Sequence, residues 1–488
     1  MGLLSVLLVS VSVAAIALFA IVAGLRVPYP FELEWMEGGM LHHVQRAIDG
    51  EPLFAPPSLE YLAYPYTPLY AYVAAGLAVL VGSSFWLLRL VSIASALVAF
   101  GLVARIVKRD TGNGRAGLIG AGLLAAAYEF TGCWYDIARV DSLALALTLA
   151  GVALAQRRPV GPDASVRSFP AASGFLLFLA CFTKQSALGP AVGVGLVLLL
   201  RDRRQALRFF LSFTLPLVGF SLWLNAASEG WFRWHVYDLL RSHPLYRPHI
   251  LGYWEELLAN LGPALILPLW VNLAARRVPN RLRWDPLLVT VCLFLLASSW
   301  IGRMHTGGFD NTLIQAAAAA AMLFGLALAR VPERPSNRRV LVLVAGLLQF
   351  ALLAYDPRPK LPTDADRAAG EAIVQELASI EGDVWMPYHG YLAERAGGQP
   401  GAHAMPIIDL LQGGDVETAQ AFVTELERAI ASGRWRWIVL DDLSWEEQLP
   451  SLAAGYRRTR SLFSADDPGL FLPRTGEPQR PLHVYERR

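Results

Sequence analysis

The chain has 488 residues, 55% of them hydrophobic and only 17% charged, which is too apolar and too long for one soluble domain. A formal net charge of +2 from 42 basic and 40 acidic residues gives no argument for nucleic-acid binding, and the placement of the arginines carries more information than their sum. Cys133, Cys181 and Cys292 stand singly in apolar stretches, a pattern that excludes zinc-type spacing and a disulfide framework and reads as three buried thiols.

Apolar stretches able to cross a bilayer, some of them short, lie near 3–25, 85–104, 116–132, 142–156, 171–183, 187–200, 209–226, 261–275, 286–301, 312–329 and 340–355. The expected fold is an α-helical polytopic membrane protein of about eleven transmembrane helices over 1–355, followed by a small α/β domain over 356–488. The first stretch lacks a basic n-region and reads as a retained anchor rather than a cleaved signal peptide. Short basic loops separate alternate pairs of stretches: Arg105, Lys108, Arg109 and Arg115; Arg157, Arg158 and Arg167; Arg201, Arg203, Arg204 and Arg208; Arg276, Arg277, Arg281 and Arg283; Arg330, Arg334, Arg338 and Arg339. The positive-inside rule makes these loops cytoplasmic, so the N-terminus is expected in the cytoplasm of a multi-pass cell-membrane protein and the C-terminal domain outside. Leu69–Val81 is apolar but short; counting it as a span would put the first basic loop outside, so it reads as interfacial or re-entrant.

The first outer loop, 26–84, carries Glu32, Glu34 and Glu37 ahead of an amphipathic helix over 40–48, where Met40, Leu41, Val44, Ala47 and Ile48 share one arc. If the helix extends back to Met36, Glu37 falls on the apolar arc, where a carboxylate needs a polar cavity or a metal; the alternative is an exposed residue near the helix start. The aromatic, Pro-rich run 64–70, starting at Tyr64, suits anchoring at the membrane interface. In the second outer loop Asp136 and Arg139 can pair at i, i+3, while Asp141 opens an apolar helix as a dipole charge or a functional acid. Lys184, flanked by apolar sequence, can hold a phosphate as a point charge or snorkel to the interface. Trp231, Arg233, Trp234, His235, Arg241, His243, Arg247 and His249 together suit a lipid headgroup bearing phosphate and sugar. Over 302–311, Arg303 and His305 stand beside Gly307, Gly308, Asp310 and Asn311, a loop whose amides and arginine can cradle an oxyanion.

After a Pro-rich linker at 356–362, helical periodicity appears over 364–380 and 416–432, with short strands expected at 384–387 and 435–440. No phosphate loop, zinc spacing or nucleophile motif occurs in this domain, so its expected role is binding or shaping a site.

These residues resemble the GT-C superfamily of membrane glycosyltransferases that use polyprenyl-phosphate-linked sugars, which includes protein O-mannosyltransferases and the aminoarabinose transferase acting on lipid A. Glu37-Gly38 through Arg46 to Leu53 looks like the family's first outer loop, 64–70 like its Pro-Pro-Leu-Tyr entry, Arg139-Val140-Asp141-Ser142 like its second acidic site, Phe182-Thr183-Lys184 like its basic residue at a span end, and Gly307 to Asn311 like a late Gly/Asn loop. One departure is that the usual acidic pair is here Met36-Glu37. The resemblance implies transfer of a sugar, with inversion, from a polyprenyl-phosphate donor to a lipid, glycan or protein acceptor on the outer face of the membrane. In that mechanism Glu37 or Glu34 is the general base, Asp141 positions the acceptor or, with Glu37, binds a divalent metal ion, and Lys184 and Arg303 stabilise the leaving phosphate; Arg139, Tyr64, His305 and Asn311 are the further candidates for substrate binding. Membrane lipids are expected partners, and no other cofactor is expected. A transporter or flippase of lipid-linked saccharides is the rival reading; it would want inverted repeats and midplane charges, which the sequence does not display clearly. A non-catalytic assembly protein is a third.

Overall fold

The computed structural model describes residues 2–156, 168–275, 284–331, 336–413, 415–464 and 466–488. The basic residues Arg157, Arg158, Arg167, Arg276, Arg277, Arg281, Arg283 and Arg334 lie outside the described residues. The first part of the chain contains α1 (Gly2–Arg26), α2 (Glu37–Ile48), α3 (Leu69–Val81), α4 (Phe85–Thr111), α5 (Gly114–Ala126), α6 (Asp141–Ala155), α7 (Pro170–Cys181), α8 (Leu188–Arg201) and α9 (Arg203–Ala227). The short pieces α10 (Trp231–Arg233) and α11 (Leu239–Ser242) follow, then α12 (His249–Ala275), α13 (Pro286–Met304), α14 (Leu313–Arg330) and α15 (Asn337–Leu352). Among the described residues, five helical segments are long and apolar enough to cross a membrane by themselves: Gly2–Arg26, Phe85–Thr111, Arg203–Ala227, Pro286–Met304 and Asp310–Arg330. The expectation of about eleven crossings counts shorter helices such as Gly114–Ala126 and Pro170–Cys181 as well.

Polar side chains sort the helix ends into two poles. At one pole Arg109 of α4 donates to Ala153 O at the end of α6, Arg330 of α14 pairs with Asp110 at 2.6 Å, and Arg201 of α8 pairs with Asp285 ahead of α13. Helices that start there are capped by short polar side chains, Asn113 for α5, Asp202 for α9, Asp285 for α13 and Ser336 for α15, which satisfies amides the first turn leaves open. At the other pole lie the ends of α1, α7 and α13 and the irregular segments that carry the carboxylates of the outer loops. Small residues let the core helices approach closely: Gly120 of α5 faces Ala321 O of α14, where a Cβ would sit 2.9 Å away, and Gly325 faces Ala116 O likewise.

Helix α3 begins and ends at the same pole. Leu69 N donates to Phe182 O at the end of α7, and Phe85, just beyond α3, packs its ring on Tyr391 of the C-terminal part. Thirteen residues reach about 20 Å, short of the roughly 30 Å hydrocarbon thickness.

The C-terminal part contains α16 (Asp364–Ala378), α17 (Gly390–Arg395), α18 (Ala404–Gln412), α19 (Val416–Ser432), α20 (Ser444–Gln448) and α21 (Pro450–Gly455), with strands β1 (Val384–Trp385), β2 (Trp437–Leu440), β3 (Tyr456–Ser461) and β4 (His483–Arg487). The sheet order is β1-β2-β4-β3, parallel between β1 and β2 and antiparallel elsewhere. Thr363 and Asp366 form a capping box on α16, and Gly433, with φ 68°, ends α19 before β2. This part is bolted to the first loop. The buried His389 ring contacts Glu32 at 2.6 Å and Asp441 at 2.9 Å; burial lowers the imidazole pKa, but the two carboxylates outweigh it and raise it to about 10. Arg474 N and Thr475 N both donate to Leu33 O at 2.9 Å, and Arg26 at the end of α1 donates to Thr475 Oγ1 at 2.7 Å.

Candidate active site

A cavity of about 470 Å³ opens where the first loop, the 134–139 segment, the end of α7, the 302–312 loop and the C-terminal part meet, a size suited to a small ligand. Of the residues singled out in the sequence, Glu34, Arg139, Lys184, His305 and Asn311 line it; Glu37, Tyr64, Asp141 and Arg303 do not.

Glu34 is fully buried. Its Oε2 accepts from Arg139 Nη1 at 2.8 Å, while Oε1 has no hydrogen-bond partner among the described residues. Burial, only partly offset by Arg139, lifts its pKa to about 7. Gly476, in a left-handed conformation at φ 74°, passes directly over this side chain: a Cβ there would stand 3.3 Å from Glu34 Cγ. Arg139 also donates to Tyr66 Oη at 2.6 Å and lies 2.9 Å from Met36 Sδ. The i, i+3 pairing of Asp136 with Arg139 does not form, because 127–140 is not helical. Asp136 turns instead to Arg26 at 3.0 Å and accepts from Tyr128 Oη.

Glu37 is buried and saturated. Its carboxylate accepts from Arg89 Nε and Nη2 at 3.0 and 2.6 Å and from the amides of Leu33 and Ala138, each at 2.7 Å. It lies on the inner side of α2, as its place on the apolar arc requires, but with a cation from α4 as partner rather than a cavity. These contacts occupy both oxygens of the carboxylate expected to serve as base or metal ligand. Tyr64 is likewise packed away from the cavity, 1% exposed, with its hydroxyl donating to Met36 O at 3.0 Å. It fills the space left by Gly39, where a Cβ would come within 1.9 Å of the phenol oxygen. Gly39→Ala is therefore expected to displace Tyr64 and lower stability by about 1–3 kcal/mol, read as a fall in the thermal midpoint of the purified protein; an unchanged midpoint would contradict this packing.

Asp141 sits just behind the cavity wall. Its Oδ1 receives Lys184 Nζ at 2.5 Å and Asn311 Nδ2 at 3.2 Å, and the pair is buried enough to fix the lysine. Arg303 is occupied by Asp310 at 3.0 Å, Glu256 at 3.3 Å and Gly308 O at 3.1 Å. It shapes the 302–308 loop, and the loop's His305, Thr306, Gly307 and Gly308 face the cavity in its place. Of the two expected metal ligands, Glu37 is held at both oxygens by Arg89 and two amides, and Asp141 is held at Oδ1 by Lys184 and Asn311 while its buried Oδ2 has no hydrogen-bond partner among the described residues; the lysine beside Asp141 disfavours a second cation there. Among the described residues no group of three His, Cys, Asp or Glu side chains is placed to hold one.

The other wall belongs to the C-terminal part. Tyr388, Met405, Ile408, Asp409, Gly476 and Glu477 contribute to it, and none was singled out in the sequence. Asp409 had one signal, a lone charge in the otherwise apolar helix α18.

The fold of this membrane protein is shared with solved structures of two other proteins. Two solved structures of ArnT from Cupriavidus metallidurans, one bound to undecaprenyl phosphate and one in the apo state, superpose on 98% and 97% of this chain and 97% of theirs, with TM-scores of 0.58 and 0.59 at 14% identity. The Archaeoglobus fulgidus oligosaccharyltransferase, solved with zinc and sulfate, matches 88% of this chain and 67% of its own with a TM-score of 0.50 at 14% identity. No protein-family model and no curated protein matches the sequence.

Proposed function

We propose that the chain is a glycosyltransferase that moves a sugar, with inversion, from a polyprenyl-phosphate donor to an acceptor hydroxyl on the outer face of the membrane. The observation that carries this reading is the unpartnered Oε1 of Glu34 in a cavity that also holds Lys184 and Arg139. The fold shared with an undecaprenyl-phosphate-bound ArnT supports the donor class, and the described basic residues at the opposite pole support the outward orientation of the site.

In this mechanism Glu34 Oε1 takes the proton of the acceptor hydroxyl. The acceptor oxygen attacks the anomeric carbon from the face opposite the phosphate, and the bond between that carbon and the phosphate oxygen breaks. The phosphate leaves with the electron pair, stabilised by Lys184; of the 306–308 turn only the Gly307 amide is left for it, since Thr306 N donates to Pro244 O and Gly308 N to His305 O. Asp141, itself held by the Asn311 amide, fixes Lys184 in place, and Arg139 holds Glu34.

The test is transfer of radiolabelled sugar from undecaprenyl-phosphate sugars by the purified chain in lipid nanodiscs. Lys184→Ala is expected to lower kcat/KM by about 10- to 100-fold, the worth of one charge-assisted hydrogen bond, and to weaken inhibition by free undecaprenyl phosphate. Unchanged values of both would remove Lys184 from the phosphate. Movement of intact lipid-linked saccharide across the bilayer, without transfer, would favour the flippase reading.

A further inference from the structure

The cavity has two chemically different walls. One carries Lys184, Arg139 and the glycine turn of the 302–308 loop. The other is built by the C-terminal part and offers acceptors: Asp409 on α18, with Glu477 and Gln479 from the strap after Gly476. Asp409 is the most informative of these. Its side chain is only 16% exposed, and His243 Nε2 is 3.7 Å from Oδ1, too far for a hydrogen bond, on a ring whose pKa burial lowers. No hydrogen bond to its carboxylate occurs among the described residues, although its backbone carbonyl is 3.3 Å from the same histidine nitrogen. Helix α18 itself is fixed, since His403 caps it through Met405 N and also contacts Trp35 O in the first loop.

A carboxylate held mostly out of water without a protein donor is costly, and burial lifts this one to about 7. Neighbouring hydroxyls of a saccharide supply what it lacks: two O–H donors, spaced to meet the two oxygens of one carboxylate. We propose that Asp409 is a specificity-determining residue that binds vicinal hydroxyls of a sugar in the cavity, so that the C-terminal part reads the saccharide while the membrane part handles the phosphate. This deepens the proposed function and rests on it for the claim that the sugar is a substrate; the claim that Asp409 binds sugar hydroxyls stands on the geometry alone.

The experiment uses the full chain in lipid nanodiscs, with undecaprenyl-phosphate hexoses and their monodeoxy analogues as donor probes, and methyl hexosides with their monodeoxy analogues as acceptor probes. Binding and transfer are measured separately for wild type, Asp409→Asn and Asp409→Glu. The wild type is expected to bind one deoxy analogue about 10- to 100-fold more weakly than its parent, with the loss in KM rather than kcat. Asp409→Asn is expected to bind the parent sugar correspondingly less well and to have lost the discrimination; Asp409→Glu, which keeps the charge but moves it, is expected to alter it and serves if the asparagine variant does not fold. Discrimination among donors assigns the hydroxyls to the transferred sugar, and discrimination among acceptors assigns them to the acceptor. Folded variants that keep the wild-type deoxy pattern toward both would overturn the inference. Asp409-dependent binding without transfer would remove the proposed function and leave the inference standing, and no saccharide binding by the wild type would end both.

Discussion

Glu34→Gln is expected to lower kcat by about 10²- to 10⁴-fold, the range a positioned general base contributes, while KM for donor and acceptor changes little. The amide keeps the shape of the side chain and can still accept from Arg139, but it cannot take a proton. The pH profile gives an independent reading. A base whose pKa is lifted to about 7 by burial is active only when ionised, so kcat/KM of the wild type should rise with pH, bend near 7 and level off above it, falling about tenfold per unit on the acid side. The glutamine variant should lose that bend. A full-rate Glu34→Gln enzyme would end the proposed mechanism, and a variant that is slow but keeps the wild-type pH profile would place the titrating base elsewhere.

Glu37 should behave differently although it stands three residues away on the same loop. Glu37→Ala leaves the buried Arg89 guanidinium without its carboxylate and the amides of Leu33 and Ala138 without an acceptor. Breaking one side of a buried pair costs about 3–5 kcal/mol, a large share of the stability of an ordinary domain. The expected result is a markedly lower thermal midpoint, with activity lost in step with folding. Arg89→Met should cost a similar amount. The double variant Glu37→Leu/Arg89→Met should recover part of it, because an apolar replacement of a whole pair is often close to neutral; the carbonyls of Tyr29 and Phe31 that Arg89 serves keep the recovery incomplete. A Glu37→Gln protein that is fully stable yet inactive would return the base to Glu37.

These two carboxylates mark the line between what the sequence carries and what it does not. The apolar stretches, their alternation with basic loops and the amphipathic stretch at 40–48 are local patterns, and most helices stand close to where periodicity puts them, α2 starting at Glu37, although α12 begins at His249, well before the stretch expected at 261–275. The helices at Asp364–Ala378 and Val416–Ser432 and the strand at Trp437–Leu440 follow from local signals in the same way. The choice between Glu34 and Glu37 is not local. It depends on Arg89, which lies 52 residues beyond Glu37 inside an apolar helix, and on Arg139, 105 residues beyond Glu34. The same reason undid the pairing of Asp136 with Arg139: a spacing rule for helices was applied to a segment that turns instead, and each residue found its partner in the first loop or at the end of α1. Asp409 and Gly476 were out of reach because their significance appears only when the C-terminal part closes on the first loop.

That closure fixes an order of assembly. The hydrogen bond from Arg26 to Thr475 joins residues 449 positions apart, and Gly476 roofs the carboxylate of Glu34. The first loop is therefore made well before the segment that closes on it and must wait, with its three glutamates, until residues 474–476 have left the ribosome. During that interval every other helix can insert and pack by local contacts, which form quickly, whereas contacts that close so long a chain segment come late. A chain without residues 474–476 would be a membrane-inserted bundle whose first loop lies open where the folded molecule covers Glu34, so chemistry at Glu34 begins only after that segment is in place.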